Sequence, residues 1–352
     1  MAIHRTSQRT RSAGRPTLDQ VAARAGVGRG TVSRVVNGSP QVSATARAAV
    51  EQAIQELGYV PNRAARALVT QRTDSVALVV SESEERVFGE PFFAGIIRGI
   101  SSLLLETPLQ LWLAMAQSKA ERDRVEHHLT PQHVDGVLLM SLHGTDPLPA
   151  LLAQRGLPVV LCGLPSGSIL LAGDQVSCVD ADNEGGARAA VEHLLARGRR
   201  RVAAIAGPQD MGVGVARLDG YRQALRAAGL PVHEERVGFG DFSEMSGAAA
   251  MRALLERDPH LDAVYAASDL MAVGAMRVLR DRGRRIPEDV AVVGFEDSVL
   301  ARQTEPALTT VHQPVEAMGR EMARLLVAHI RGIEVPAPLV VLQTHLVVRA
   351  SS

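Results

Sequence analysis

Over the first sixty positions the apolar residues recur at helical spacing. Thr17 offers an N-cap hydroxyl, Leu18, Val21, Ala22 and Ala25 fall on one face, and Gly26 stops the helix. A second helix from about Arg29 to Val36 ends at Asn37-Gly38, both of which accept a left-handed C-cap. Ser43 caps a third, whose stripe of Ala46, Val50, Ala53, Ile54 and Leu57 runs up to Gly58. Two short helices joined by a Gly-containing turn and buttressed by a third describe a helix-turn-helix unit. After Pro61, residues 62–73 form a short helix-compatible segment without a core of its own.

From Ser75 the texture changes, and apolar runs alternate with helical patterns. The runs at 76–80, 109–116, 136–141, 158–162, 202–207, 262–268 and 290–297 read as buried parallel strands. Helices at 185–197, 216–228, 246–257 and 270–282 lie between several of them, and "LQTHLVV" (342–348) reads as a last strand. Trp112, inside the second run, is expected in the core. This alternation predicts an α/β fold with doubly wound parallel sheets, and seven or more strands over about 275 residues suit two lobes better than one. No internal repeat is evident.

Charge changes the picture of the first unit. The 352 residues sum to a formal net charge of zero, with 46% apolar and 22% charged residues, a soluble packed chain. Residues 1–72 nevertheless hold eleven arginines against Asp19, Glu51 and Glu56, or +8, leaving −8 on the rest. A basic head on an acidic body points to a polyanion bound through one end. Residues 1–16, rich in Arg, Ser and Thr, read as a mobile basic arm. In a helix-turn-helix the second helix meets base edges with its N-terminal residues. Arg29, Thr31, Ser33 and Arg34 lie there, and Gly30 leaves a position with no side chain to read with. Arginine donates two hydrogen bonds to guanine O6 and N7.

The remaining chemistry is mostly exclusion. Cys162 and Cys178 stand in a chain with no apolar signal segment and no run long enough to span a membrane, so a reduced cytoplasm is expected. Neither they nor His127, His128 and His143, read as surface or loop residues, have metal-ligand spacing, and no metal or cofactor is expected. No G-x-S-x-G follows a strand, and "GVGVARLDG" (212–220) lacks the third glycine of a dinucleotide fingerprint. Asp174, Asp180 and Asp182 are better explained by turns and cleft polarity than by acid/base catalysis, so no enzyme and no catalytic residues are expected.

Thr17 to Leu68, with "TVSRVVNG" and "ELGYVPNRAARAL", resembles the DNA-binding head of the LacI/GalR family of bacterial transcription repressors. "VDGVLL", "DNEGG", "RRRVAAIAGP", "ARLDGYRQAL", "ASDLMAVGAM", "IPEDVAVVGFED" and "PALTTVHQP" extend the likeness over about 17–349. "VALVVSES", "EPFFAGI", "QHVDGVLLMSLH", "GPQDM" and "GDFSEMSG" resemble, more narrowly, actinobacterial repressors of cellulose and cello-oligosaccharide use.

The resemblance implies a DNA-contacting set of Thr17, Arg29, Gly30, Thr31, Ser33, Arg34, Asn37, Asn62, Arg63, Ala65 and Leu68. Arg29 and Gly30 occupy the positions that vary with operator, and Asn37 helps hold the turn against the backbone. Asn62 to Leu68 would be a hinge helix, with Leu68 wedged into the minor groove, while two-fold pairing and Arg29 lead to the expectation of a near-palindromic, GC-rich operator. It also implies a periplasmic-binding-protein-like core with effector between its lobes. Arg217 matches the family arginine that grips effector oxygens, while Glu296 departs from the usual Asp and Ser268 from a frequent Asn. Phe92, Phe93 and Phe242, at cleft-lining positions, suit the apolar face of a sugar, and Ser141, Asp180 and Asp269 complete the expected set.

The expected domains are an arm (1–16), a helix-turn-helix (17–61), a hinge and linker (62–73) and a core (74–352). Lobe 1 is expected at about 74–176 and 313–340, and lobe 2 at about 177–312 and 341–349. A homodimer rather than a tetramer is expected, since tetramers of the resembled family need a leucine-heptad tail and none follows the last strand. Expected partners are operator double-stranded DNA and a small saccharide inducer such as cellobiose or a cello-oligosaccharide, with no membrane. Another sugar, a purine or a phosphoprotein corepressor is the competing effector. A transport protein sharing the core would need an export signal and no helix-turn-helix.

Overall fold

A computed structural model describes residues 16–60, 72–164 and 176–352. The chain divides at Thr73/Asp74 into two compact units. The first is three helices: α1 (Leu18–Ala25), α2 (Arg29–Val36) and α3 (Ala44–Leu57). Thr17 and Gln20 close a reciprocal capping box at the start of α1, and Ser43 caps α3 by accepting from the Ala46 amide. Gly26 ends α1 at φ 68°, a left-handed conformation that turns the chain into α2. Val21, Val32, Val35, Val50 and Ala53 from all three helices share one core with Tyr59.

In the second unit two six-stranded sheets each carry helices on both faces. Strands β1 (Ser75–Val80), β2 (Gln110–Met115), β3 (Gly136–Met140), β4 (Val159–Cys162), β5 (Val176–Ala181) and β11 (Leu339–Leu342) make the first, in order β11-β5-β4-β3-β1-β2, all parallel. The second runs β12-β10-β9-β8-β6-β7. Its strands are β6 (Val202–Ala206), β7 (Val237–Phe239), β8 (Ala263–Ala266), β9 (Ala291–Glu296), β10 (Thr309–His312) and β12 (His345–Val347), of which only β12 runs antiparallel to its neighbour. Strand alternation feeds two cores: Val76, Leu78 and Val80 face one helix layer, Ala77 and Val79 the other.

Helices Pro91–Leu104 and Val315–Ile330 cross at contact distance on the first sheet. A Cβ on Gly99 would lie 2.1 Å from the Glu316 carbonyl oxygen and one on Gly319 2.2 Å from that of Ile96, so both positions must be glycine.

Three features differ from the sequence reading. The expected lobe boundary at 176/177 falls inside β5, which pairs with β4 and β11 and so belongs to the first sheet through Ala181. The single expected last strand is two, β11 in one sheet and β12 in the other, with the chain passing between lobes at Gln343 and Thr344. Trp112 is not core: β2 is an edge strand, and the indole stays 46% exposed, stacked 4.9 Å from the His128 ring.

Candidate functional site

On α2 the buried Val32 and Val35 fix which side faces outward. Arg29, Gly30 and Arg34 are exposed, with Thr31 and Ser33 half-buried beside them. Gly28 leads the helix without a side-chain cap, so its first amides are open to an anion. Asn37, at the helix end, donates from Nδ2 to Ser33 Oγ at 3.4 Å, and Arg29 Nε lies 3.7 Å from Asp19 Oδ1 on the surface. The expected contacts at Asn62, Arg63, Ala65 and Leu68, and Asp174, lie outside the described residues.

In the core, the carboxyl ends of strands from both sheets converge on a cavity of about 70 Å³. Phe92, Phe93, Ser141, Asp180, Arg217, Phe242 and Glu296 line it together. A wider hollow of about 830 Å³ shares Phe92, Glu296 and Gln313 with it.

Arg217, buried in the helix Gly212–Ala227, is the centre of this arrangement. Its guanidinium donates to Asn183 Oδ1 (2.9 Å), the Ala267 carbonyl (2.6 Å) and Gln313 Oε1 (3.0 Å), and lies 3.7 Å above the Phe295 ring. Glu296 Oε1 is 4.0 Å away. Burial pushes the Glu296 carboxyl above its ordinary range against the pull of Arg217. Burial also raises Asp180, opposed by the amides of Leu164 and Ala181 that donate to it.

The aromatic wall is built with backbone strain. Ser141 (φ 56°), Phe242 (φ 73°) and Glu296 (φ 112°), all cavity residues, adopt positive φ, and such strain concentrates where side-chain aim matters more than backbone ease. Phe242 lies across Gly207, whose added Cβ would sit 2.4 Å from the ring. Phe92 and Phe93 meet edge to face at 5.4 Å, Phe93 being almost wholly buried.

Two expected site residues stand behind this wall rather than in it. Asp269 is buried, accepting from Thr310 Oγ1 (2.5 Å) and the Ser298 amide (2.7 Å), so its carboxylate ties β10 to the loop after β9. Ser268 caps the helix Asp269–Asp281 and donates to the Phe242 carbonyl at 3.1 Å, so it holds the ring's backbone. Conversely, sequence reading missed Arg86, Glu90, Asn183 and Gln313 as lining residues. Asn183 and Gln313 sit inside "DNEGG" and "TTVHQP", so their motifs were visible but not their roles. Asp182 caps the helix Asn183–Ala196, as a turn residue does.

Among the described residues, no group of three or more His, Cys, Asp or Glu side chains could hold a metal ion, and no helix is long and apolar enough to cross a membrane. Cys162 and Cys178 are free thiols, both raised by burial.

Residues 17–62 match the bacterial regulatory proteins of the lacI family, and 191–352 a periplasmic binding protein-like domain. The HTH-type transcriptional regulator CelR of Thermobifida fusca is 58% identical over 337 residues, 96% of this chain and 98% of that protein. The chain belongs to the lacI family. Its lacI-family architecture is shared by a solved CelR–cellobiose complex, 56% identical with a TM-score of 0.76, covering 96% of this chain and all of that one. It is shared too by a lac repressor dimer bound to operator and the anti-inducer ONPF, 28% identical with a TM-score of 0.83, covering 96% and 99%. As a lacI-family member the chain is a transcription regulator rather than an enzyme.

Proposed function

We propose that this chain is a cytoplasmic, homodimeric repressor of carbohydrate-utilisation genes. It binds a GC-rich, near-palindromic operator through α2 and is released by a small saccharide, cellobiose or a cello-oligosaccharide. The observation that carries the effector half is Arg217, a buried fork of donors beside Glu296 and Asp180 in a cavity walled by Phe92, Phe93 and Phe242. Charged donors and acceptors grip hydroxyls while aromatic faces pack on the C–H face of a pyranose. The likeness to CelR, one of whose solved complexes contains cellobiose, supports that choice.

Self-association has support in the edges of the sheets. Trp112 and Leu113 on β2, and Phe239 on β7 with the nearby Met245, leave apolar surface exposed on each lobe. Two copies present two reading helices, which is why the operator is expected to be palindromic. Effector favours closure of the lobes, and the closed arrangement is the one with low affinity for operator. Coupling of about 1–3 kcal/mol per site, acting twice, is enough to release DNA.

The test pairs a thermal-shift screen of saccharides and purines with gel-shift of inverted-repeat DNA. Stabilisation by cellobiose together with loss of the DNA complex is expected. A shift with a purine and none with any sugar would replace the inducer by a corepressor, and failure to bind any duplex at moderate salt would remove the reading altogether.

A further inference from the structure

His143, in the loop after β3, sits where the two lobes meet at the cavity. Its Nδ1 is 2.9 Å from Asp210 Oδ2, on the loop after β6 of the other lobe, and its Nε2 is 3.3 Å from Glu82 Oε1 of its own lobe. The next amide, Gly144, donates to the Asp210 carbonyl oxygen at 2.8 Å, so side chain and backbone cross between lobes at the same place.

Glu82 is buried and continues the chain inward. Its Oε1 also accepts from Arg86 at 2.6 Å, and Arg86 is paired with Glu90 at 2.7 Å. Arg86 and Glu90 are cavity-lining residues, and the Arg86 guanidinium stands 5.9 Å from the Phe242 ring of the opposite lobe. Asp241, beside Phe242, and Glu296 are further carboxylates in the field of Arg86 and Glu90. A single imidazole therefore joins an interlobe contact to side chains that line the cavity.

We propose that His143 is a positioning residue of the cleft: as the imidazolium it is held between Glu82 and Asp210, latches the lobes together, and makes effector binding tighter as pH falls. The inference rests on the reading that this cavity takes a saccharide effector. A neutral ring donates through one nitrogen only, so one of its two carboxylates must lose its bond when the proton leaves. The hydrogen bond to Glu82 raises the ring's pKa above its ordinary 6.5, burial opposes this, and Asp210 adds to the rise. Separating the lobes removes Asp210, so the latched form holds the proton to higher pH than the open form. The latch is complete below the ordinary histidine value and is lost as pH rises through the raised one.

The full chain offers two readouts. In the first, NMR follows the His143 ring, identified by its absence in His143→Gln. Asp210→Asn, on the opposite lobe, should lower its titration midpoint, and an unchanged midpoint overturns the latch whether or not any sugar binds. In the second, calorimetry follows cellobiose. Affinity should fall severalfold between about pH 6 and pH 8, as the ring held above its ordinary value gives up its proton. His143→Gln and Asp210→Asn should both bind cellobiose with a shallower pH dependence than the wild type, the remainder coming from Glu296, and a wild-type slope in either variant overturns the proposal. Absence of cellobiose binding at every pH would sink the effector reading, while the NMR midpoint still decides the latch.

Discussion

The arginines of the head and of the cleft are the same residue put to opposite uses. Arg29 stands 71% exposed on α2, beside the surface carboxylate of Asp19, whereas Arg217 is 2% exposed with its donors placed on Asn183, Ala267 and Gln313. An exposed guanidinium keeps its hydration and its rotamers until a partner arrives, which suits a flat polyanion read base by base. A buried one has lost both during folding and is held in a fixed orientation, which suits a small ligand that must be recognised by shape and change the balance between two lobes. The protein thus divides its work between a surface that orders on contact and a cavity organised beforehand.

Substitutions test that division, and the largest effect is expected in the cavity. Arg217→Ala leaves three buried acceptors unpaired beside Asp180 and Glu296. It should cost about 3–5 kcal/mol of core stability by chemical denaturation and abolish sugar-dependent release, because breaking a buried charge network strands its partners. The head should still bind operator in a gel-shift at a temperature where the core stays folded. Next, Arg29→Ala should weaken operator binding by about 1–3 kcal/mol, the worth of one bidentate base contact, and leave the calorimetric affinity for cellobiose untouched. If that variant altered sugar binding directly, the two regions would not be separate sites.

Gly207→Ala sharpens the cavity side. The new methyl would sit 2.4 Å from the Phe242 ring, so the ring must move, at a cost of about 1–3 kcal/mol of overpacking and with loss of sugar affinity. The last effect is one of pH. Burial raises the Glu296 carboxyl from its ordinary 4.5, so the folded state holds a proton that the unfolded state gives up. That contribution is complete below pH 4.5 and is lost as pH rises through the raised value. Glu296→Gln should flatten this part of the stability profile measured by thermal denaturation from acid to neutral pH.

The sequence was most legible where a local rule acts alone. The helices α1, α2 and α3 begin and end at Thr17, Gly26, Asn37, Ser43 and Gly58, residues whose capping chemistry is local. Strands β1, β3, β6 and β9 are continuous buried runs, as central parallel strands must be. Strands β5 and β10 escaped because they carry buried polar residues, Ser177, Asp180, Thr309 and Thr310, that interrupt the apolar pattern. Strand β7 is only three residues long. Helix Gly212–Ala227 starts four residues before the expected 216, since its Gly-rich first turn reads as loop.

The cavity was legible in part for a different reason. Arg217, Phe242 and Glu296 are marked by family resemblance, and the fold brings them together with Ser141 and Asp180. Asp269 and Asp180 look alike as letters, each an acid at the end of a strand or the start of a helix. Only three-dimensional pairing shows that Thr310 and Ser298 consume the first while the second faces the cavity. Arg86, Glu82 and His143 carry no periodic signal, because their partners come from separate loops and, for Asp210, from the other lobe.

The most direct test of the central claim is a single titration of the intact protein on labelled palindromic operator DNA, followed by fluorescence anisotropy, with and without cellobiose at fixed moderate salt. Tight binding that weakens severalfold when the sugar is added, in the wild type and not in Arg217→Ala, is the predicted result. Equal operator affinity with and without cellobiose, or no affinity for duplex DNA in either case, would contradict it.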